Sequence, residues 1–251
     1  MEQKMSFDDS VVNYDKYRSV YLQALFGDLF NYSNCNSSSL VVEVGCGTGQ
    51  ATSWVLNTGC TLKAIEIGKN LCDFTAHKFR DFRNLEVINT SFEDYEIQDG
   101  SLDLIYSATA FHWIPYKIAY PKALKALKKG GCLATFWCNW EVSDKNDKLK
   151  KEITALENEY NPPDNQSFED RCKGNQWFFN HYGYKDFFSK YYSVYRKFTA
   201  EEYIGLLQTS SVYMKVNDIE RESLFEKIRN TINEYGCIQI HDKIDLYMGR
   251  A

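Results

Sequence analysis

The fold of this chain is decided by residues 40–50, which read LVVEVGCGTGQ. Apolar residues fill four of the first five positions, a density typical of a strand buried on both faces of a parallel sheet. Glu43 interrupts the run. Because a buried charge is costly without a partner, we expect it to face a ligand or a hydrogen-bonding loop. Residues 50–56 have helical spacing, so the stretch predicts a strand, a glycine turn and a helix.

The turn carries three glycines, Gly45, Gly47 and Gly49, at alternate positions. Glycine adopts positive φ freely and lets backbone N–H groups approach a ligand closely. A strand, a glycine turn and a helix form the front of a nucleotide-binding unit, whose dinucleotide fingerprint is G-x-G-x-x-G. Here the glycines alternate, and Glu43 stands two residues before the first of them. This spacing disfavours a nicotinamide-dependent oxidoreductase, while a purely structural turn stays an alternative.

The pattern E-x-G-x-G-x-G at 43–49 resembles motif I of the class I S-adenosylmethionine-dependent methyltransferases. The string AFHW at 110–113 is similar to a small-molecule subgroup that includes the trans-aconitate and UbiE-like enzymes. The resemblance implies S-adenosyl-L-methionine as cofactor and a doubly wound, Rossmann-like α/β fold. Its seven-stranded sheet has an antiparallel last strand, helices on both faces and an insertion between strands 5 and 6. The alternatives are the oxidoreductase and a non-catalytic S-adenosylmethionine-binding regulatory protein.

The resemblance extends over the chain as a single methyltransferase domain, residues 1–251. Its segments are an N-terminal lid helix at 11–31, a cofactor-binding core at 40–140, a substrate-roof insertion at 141–183 and C-terminal strands and helices at 184–251. Hydrophobic spacing predicts further strands at 61–67, 85–89, 102–107, 132–138, 185–198 and 237–248. It predicts helices at 71–80, 145–160 and 224–235, and one that begins at Thr199 with the capping-box sequence Thr-Ala-Glu-Glu. A further predicted helix runs to Lys129, with Pro121 early in it, and ends at Gly130 and Gly131. Residues 165–183 are aromatic and predict no regular element.

Glu66 ends the second strand, 21 residues after Gly45, the spacing at which an acid meets ribose hydroxyls in nucleotide-binding folds. Its two carboxylate oxygens can accept hydrogen bonds from both hydroxyls. Ile67 follows, where it can pack on the adenine face.

The resemblance places the adenine in the turn after the third strand. An Asp usually accepts from the exocyclic amine there, but this sequence has Ser91, a weaker and neutral acceptor. We expect the amine to use Glu93 or a backbone carbonyl instead, and the Phe92 backbone N–H to donate to a ring nitrogen.

Tyr14, Arg18 and Tyr21 share one face of the first helix. They predict either an amphipathic helix with its polar tips in solvent or a lid. The segment YDKYRSVY at 14–21 resembles the lid helix of small-molecule methyltransferases, which implies that Tyr14 and Arg18 reach the methionine end of the cofactor. An Arg guanidinium suits a carboxylate because its donors form a planar fork.

The loop after the fourth strand begins at Ala108, and in a doubly wound sheet it lies where ligands bind. We expect Ala108 to contact the cofactor near its transferable methyl group. His112 is the candidate general base, with a loop cap as the alternative. The predicted walls of the acceptor site are Phe111, His112, Trp113, Trp137 and Trp140.

The composition of the chain limits the classes of molecule that it is expected to bind. Twenty-nine basic and 34 acidic residues give a net charge of −5, without a Lys/Arg cluster, which disfavours nucleic acid. No apolar run approaches a membrane span, and the N-terminus lacks the apolar region of a secretion signal. Eight cysteines include no C-x-x-C pair, so we expect no metal and a reduced, cytoplasmic protein.

The predicted acceptor is a small molecule, because an aromatic roof would enclose and desolvate such a ligand but would bar a polymer. Arg171 and Lys173 are candidates for selecting an acidic acceptor. The sequence leaves open the acceptor, the modified atom and the oligomeric state.

Overall fold

A computed structural model describes residues 11–18, 21–162 and 166–251. These residues form two compact units. The first unit comprises 11–18, 139–162 and 193–243, and the second comprises 21–138, 166–192 and 244–251. Each unit is described by itself. In the described ranges, no helix has the length and apolar character needed to cross a membrane.

The chain alternates strands and helices, as the glycine motif predicts. The helices are α1 Val11–Tyr17, α2 Gln23–Ser33, α3 Thr52–Leu56, α4 Lys69–Lys78, α5 Tyr116–Ala126, α6 Asp147–Glu157, α7 Phe168–His181, α8 Ala200–Leu207 and α9 Asp218–Tyr235. The strands are β1 Leu40–Val44, β2 Thr61–Glu66, β3 Leu85–Asn89, β4 Leu102–Ala108, β5 Leu127–Val142, β6 Lys185–Phe198 and β7 Ile238–Arg250.

The strands form one seven-stranded sheet in the order β3-β2-β1-β4-β5-β7-β6, with β1 to β5 parallel. Strand β7 runs antiparallel to β5. Gly130, near the start of β5, donates to the carbonyl of Ala251 beyond the end of β7, over 2.9 Å. Ser143, beyond the end of β5, donates to Gln239 near the start of β7, also over 2.9 Å. The predicted sheet with an antiparallel last strand is therefore confirmed.

Alternate residues of the central strands supply the two cores of the second unit, because successive side chains of a strand point to opposite faces. Val41 of β1 packs in one core with residues of α2 and α3, and Val42 packs in the other with residues of α5. Both side chains have no exposed surface. Burial on both faces is what the unbroken apolar run of β1 predicts.

The first unit has its own core, formed mainly by α6, α8 and α9. Thr199 begins α8 with the predicted capping box, in which its hydroxyl accepts from Glu202 N and the Glu202 carboxylate accepts from Thr199 N. An ion pair joins β6 to β7 within this unit. The Arg196 Nε donates to Asp242 Oδ2 over 2.5 Å, and Asp242 is fully buried.

Three predicted elements are wrong. Residues 11–31 are not one helix, because Leu22 is extended and α2 begins only at Gln23. Tyr21 turns inward instead and is 6% exposed. Of the segment 165–183, residue 165 lies outside the described residues, and residues 166–183 are not irregular but contain α7, which Ser167 caps by accepting from Asp170 N. Phe168, Phe178 and Phe179 pack in the second unit's core, whereas Trp177 is 57% exposed, so residue type alone does not show which side of this helix is buried.

The helix predicted to reach Lys129 ends at Ala126, and Leu127 pairs with Leu102 as the start of β5. Gly130 and Gly131 therefore lie inside a strand, at a register shift, and do not stop a helix. A Cβ on Gly131 would lie 3.0 Å from the Leu102 carbonyl oxygen, so close strand packing explains that glycine.

The early end of this helix also changes the position of its proline. Pro121 lies in the middle of α5 and not near its start, so it removes a helical hydrogen bond from the interior of that helix.

In the first unit, the buried carboxyl of Glu157 should make the free energy of unfolding depend on pH. This carboxyl is 8% exposed and accepts from the Tyr203 hydroxyl over 2.8 Å. Burial raises its pKa from 4.5 to about 7. Because the pKa of Glu157 is higher in the folded state than in the unfolded state, the protonated carboxyl stabilises the fold. This stabilisation is fully present below about pH 4.5 and is lost as the pH rises through 7.

We therefore expect the stability of wild type relative to Glu157→Gln to fall by roughly 2–3 kcal/mol between pH 4.5 and 8.5. Urea unfolding at both pH values measures the difference. Glu159→Gln, at an exposed neighbouring position, is the control and should track wild type. A pH-independent difference would contradict the raised pKa.

Candidate cofactor and acceptor site

The glycine turn after β1 uses the conformational freedom of its three glycines, whose φ values are 70° at Gly45, 55° at Gly47 and 84° at Gly49. Gly45 N donates to the carbonyl of Ile65 over 2.8 Å, which fixes the turn to the end of β2. A Cβ on Gly45 would lie 2.4 Å from the Cβ of Ala110. The turn and the loop after β4 are therefore in direct contact.

Glu66 binds the turn directly. Its Oε2 accepts from Gly47 N and its Oε1 accepts from Gly68 N, each over 2.9 Å. The Thr75 hydroxyl of α4 donates to the carbonyl of Gly47 over 2.6 Å, so the turn is held from both sides. The structure brings the predicted ribose acid and the glycine turn together, with Ile67 half-buried beside them.

Glu43 has no exposed surface, and its Oε2 accepts from the Thr52 hydroxyl at the start of α3 over 2.6 Å. The sequence predicts that Glu43 faces a ligand or a hydrogen-bonding loop, and the structure shows a hydrogen-bonding partner, the Thr52 side chain. Burial, with a contribution from the charge of Glu66, raises the pKa of Glu43 to about 8. Glu43 thus fixes the helix that follows the turn, and its contact with cofactor stays a prediction.

The turn after β3 places a carboxylate beside Ser91. The Ser91 hydroxyl donates to Asp94 Oδ2 over 2.6 Å and accepts from Asp94 N over 3.1 Å. The Phe92 side chain is 3% exposed, and the Glu93 carbonyl accepts from Lys122 over 2.8 Å. Asp94 is exposed and was not among the predicted residues. An acid three residues after a turn serine was the signal in the sequence.

The loop after β4 is held by Thr109, which has a positive φ of 55°. Its hydroxyl accepts from Cys138 N over 3.2 Å and lies 3.1 Å from the Tyr21 hydroxyl. Ala108, which precedes it, is half-buried. Trp113 N donates to the carbonyl of Ala110 over 3.0 Å, which closes the loop into a single turn of 3₁₀ helix.

The predicted aromatic walls separate into two kinds. Phe111 is 3% exposed and packs edge-on against Tyr120 at 5.2 Å, so its ring lies in the second unit's core, and its place in an acceptor wall stays a prediction. His112 is exposed, whereas Trp113 and Trp137 are half-buried. The indole Nε1 of Trp137 donates to His112 Nδ1 over 2.9 Å. Desolvation of the imidazole lowers the pKa of His112.

Tyr14, Arg18 and Trp140 belong to the first unit, where they cluster. The Arg18 guanidinium lies 5.0 Å from the Tyr14 ring centroid and 5.1 Å from that of Trp140. It also donates to the carbonyl of Thr209. The role of these residues at the cofactor and the acceptor stays a prediction.

The two predicted acid-selecting cations are engaged within the second unit. Arg171 Nε donates to Asp245 Oδ2 over 2.6 Å, and Asp245 is 3% exposed. Lys173 lies 3.5 Å from Asp170, with both side chains largely exposed. Arg171 therefore anchors α7 to β7, and its charge is already neutralised.

Comparison with known proteins agrees with this geometry. Residues 42–135 match the family model described as a methyltransferase domain. Over 129 residues the chain is 31% identical to an uncharacterized methyltransferase from Geobacillus. The alignment covers 50% of this chain and 59% of that protein. The chain thus spans less than two thirds of this relative's length.

Among solved structures, a putative type II methyltransferase from Anaeromyxobacter dehalogenans superposes with a TM-score of 0.62 at 16% identity, over 93% of this chain and 98% of that one. Phosphoethanolamine N-methyltransferase 2 from Haemonchus contortus, solved with phosphomonomethylethanolamine and S-adenosylhomocysteine, superposes with a TM-score of 0.56 at 11% identity, over 97% of this chain and 57% of that one. Residues 42–135 form a methyltransferase domain, and the described chain has the fold of these solved methyltransferase structures.

Proposed function

We propose that the chain transfers a methyl group from S-adenosyl-L-methionine to a small-molecule acceptor. The observation that carries this proposal is the junction of Glu66 with the glycine turn at the carboxyl ends of parallel strands β1 and β2. Ligands of open α/β sheets bind at that edge. The acceptor groups fit the cofactor, because the fixed carboxylate of Glu66 is of the type that accepts from ribose hydroxyls and Asp94 offers an acceptor beside the adenine turn.

The cofactor supplies an electrophilic methyl group on a sulfonium. The protein's residues bind and orient the cofactor and the acceptor, and they exclude water. Glu66 holds the ribose, and the loop that contacts the glycine turn through Ala110 sets the acceptor's approach. Bringing two reactants into line in this way accounts for much of the rate gain of a two-substrate reaction.

The proposal that the acceptor is a small molecule rests on two further observations. The net charge of −5 gives polyanions little counterion-release advantage. The Haemonchus neighbour is named a phosphoethanolamine N-methyltransferase and was solved with the small molecule phosphomonomethylethanolamine. A cytoplasmic location is also proposed, on sequence features alone. Turnover of an acceptor is the measurement that would separate this proposal from mere cofactor binding.

Isothermal calorimetry with S-adenosylmethionine, S-adenosylhomocysteine and NAD tests the cofactor. We expect binding of the first two and none of NAD. Gly47→Val should raise the dissociation constant at least tenfold, or about 1.4 kcal/mol, because a branched side chain at positive φ strains the turn.

The matched control is Gly174→Ala, in a helix and with no atom within 4 Å of the added Cβ, which should bind as wild type does. Tight NAD binding without sulfonium binding would refute the proposal. A mass-spectrometric screen over a metabolite panel then identifies the acceptor.

A further inference from the structure

We propose that Thr75 of α4 is a positioning residue for the cofactor, because its hydroxyl selects the conformation in which the glycine turn binds. This inference rests on the proposed methyltransferase function and extends the cofactor site to a side chain outside the glycine motif. It is carried by the hydrogen bond that the Thr75 hydroxyl donates to the Gly47 carbonyl over 2.6 Å. Thr75 has no exposed surface, so a carbonyl that lost this donor would lose it inside the protein.

Gly47 has no intrinsic preference for the conformation that it adopts. Its φ is 55°, and glycine populates positive and negative φ about equally. The two peptide groups that flank its Cα are each bound by a buried side chain. Glu66 accepts from the Gly47 N–H over 2.9 Å, and Thr75 donates to the Gly47 carbonyl. Because both peptide groups are fixed, φ and ψ of Gly47 are fixed with them, and a turn formed in advance lowers the cost of binding a ligand.

The Thr75 contact also determines which way the next N–H group points. In a trans peptide group, the C=O and N–H bonds point in opposite directions. Since the Gly47 carbonyl faces Thr75, the Thr48 N–H of the same peptide group faces away from α4. A rotated peptide group would present a carbonyl oxygen there instead, and the turn would lose a donor at that position.

Two neighbours of Thr75 also touch the turn, but each fixes it less. Lys78 Nζ donates to the Thr48 carbonyl over 3.0 Å from an exposed position, where water can replace it. Phe79 fills the space beside Gly49, where an added Cβ would lie 2.3 Å from the ring, and an apolar ring cannot orient a peptide group. Thr75 is therefore the residue through which α4 determines the conformation of the turn.

Calorimetry with S-adenosylhomocysteine tests the effect on binding. Thr75→Val replaces the hydroxyl by a methyl group of similar size, and we expect the dissociation constant to rise about three- to tenfold, because one hydrogen bond is lost. Thr75→Ser restores the donor and should recover most of the affinity.

The matched control is Thr58→Val in the same unit. The Thr58 hydroxyl is half-buried and donates to the carbonyl of Val55 over 2.8 Å, beyond the end of α3 and not at the turn. This variant loses the same kind of hydrogen bond but should bind as wild type does. An unchanged constant in Thr75→Val, or an equal rise in Thr58→Val, would overturn the proposal.

Amide hydrogen exchange tests the turn in the ligand-free protein. Nitrogen-15 labelling of the 14 glycines allows the backbone N–H of Gly47 to be followed. We expect this N–H to exchange about tenfold faster in Thr75→Val, while the N–H of Gly174 in α7 keeps its wild-type rate. Thr75→Ser should restore slow exchange, a rescue that a general loss of packing would not give.

The two proposals can fail separately. If wild type binds neither S-adenosylmethionine nor S-adenosylhomocysteine, the proposed function is refuted. If wild type binds them but Thr75→Val matches it in affinity and in exchange at Gly47, only the role of Thr75 is refuted.

Discussion

Replacing Asp242 by alanine should lower the free energy of unfolding by about 3–5 kcal/mol, the cost of leaving a buried charge without its partner. Asp242 is fully buried and accepts two hydrogen bonds from Arg196, over 2.5 Å from Nε and 3.1 Å from Nη2. The Arg196 side chain is only 18% exposed, so water cannot replace the carboxylate easily. Urea denaturation with circular dichroism measures the change.

The control for this prediction is the exposed pair of Lys69 and Asp73, whose side chains are 62% and 61% exposed. Asp73→Ala should cost less than about 1 kcal/mol, because surface ion pairs are screened by water. Replacing both Arg196 and Asp242 by apolar residues should recover much of the loss. A single-variant loss below about 1 kcal/mol would show that the buried pair is solvated in solution.

Replacing Glu66 by alanine should raise the cofactor dissociation constant by about 100-fold or more, equivalent to about 3 kcal/mol, because two hydrogen bonds to a charged acceptor contribute about 1.5–3 kcal/mol each. The carboxylate also holds Gly47 N and Gly68 N, so the variant loosens the turn that would carry the ligand. Calorimetry with S-adenosylhomocysteine measures the constant.

Thermal unfolding of the ligand-free protein separates the two effects. Glu66→Gln keeps one oxygen acceptor and should fall between wild type and alanine. Glu86→Ala, at a 61%-exposed acid on the neighbouring strand β3, should bind cofactor as wild type does. An unchanged constant in Glu66→Ala would mean that this residue is not the ribose ligand.

The sequence was most informative where local chemistry decides. The apolar run of β1 predicts a strand buried on both faces, and Val41 and Val42 are buried on opposite faces. Thr199 predicts a capping box, and the structure contains it. These features depend on neighbours within a few residues, which the sequence displays directly.

Prediction failed where distant residues decide. The helix proposed to reach Lys129 loses its last residues to β5, because Leu127 pairs with Leu102 across the sheet. The aromatic segment at 165–183 contains α7 because the rings of Phe168, Phe178 and Phe179 pack in the second unit's core, which the sequence does not show. Both are cases in which burial and strand pairing outweigh local preference.

At the site, the sequence by itself determined the glycine turn, the acid at the end of β2 and the aromatic loop after β4, because their residue types and spacing record the chemistry of a nucleotide-binding edge. Only the tertiary structure decided what those groups can do. It buried Glu43 on Thr52, bound Glu66 to two backbone N–H groups, and set the Trp137 indole on His112, 25 residues away in sequence. The physical reason is that a protonation state or a tautomer depends on partners in space, which spacing along the chain does not encode.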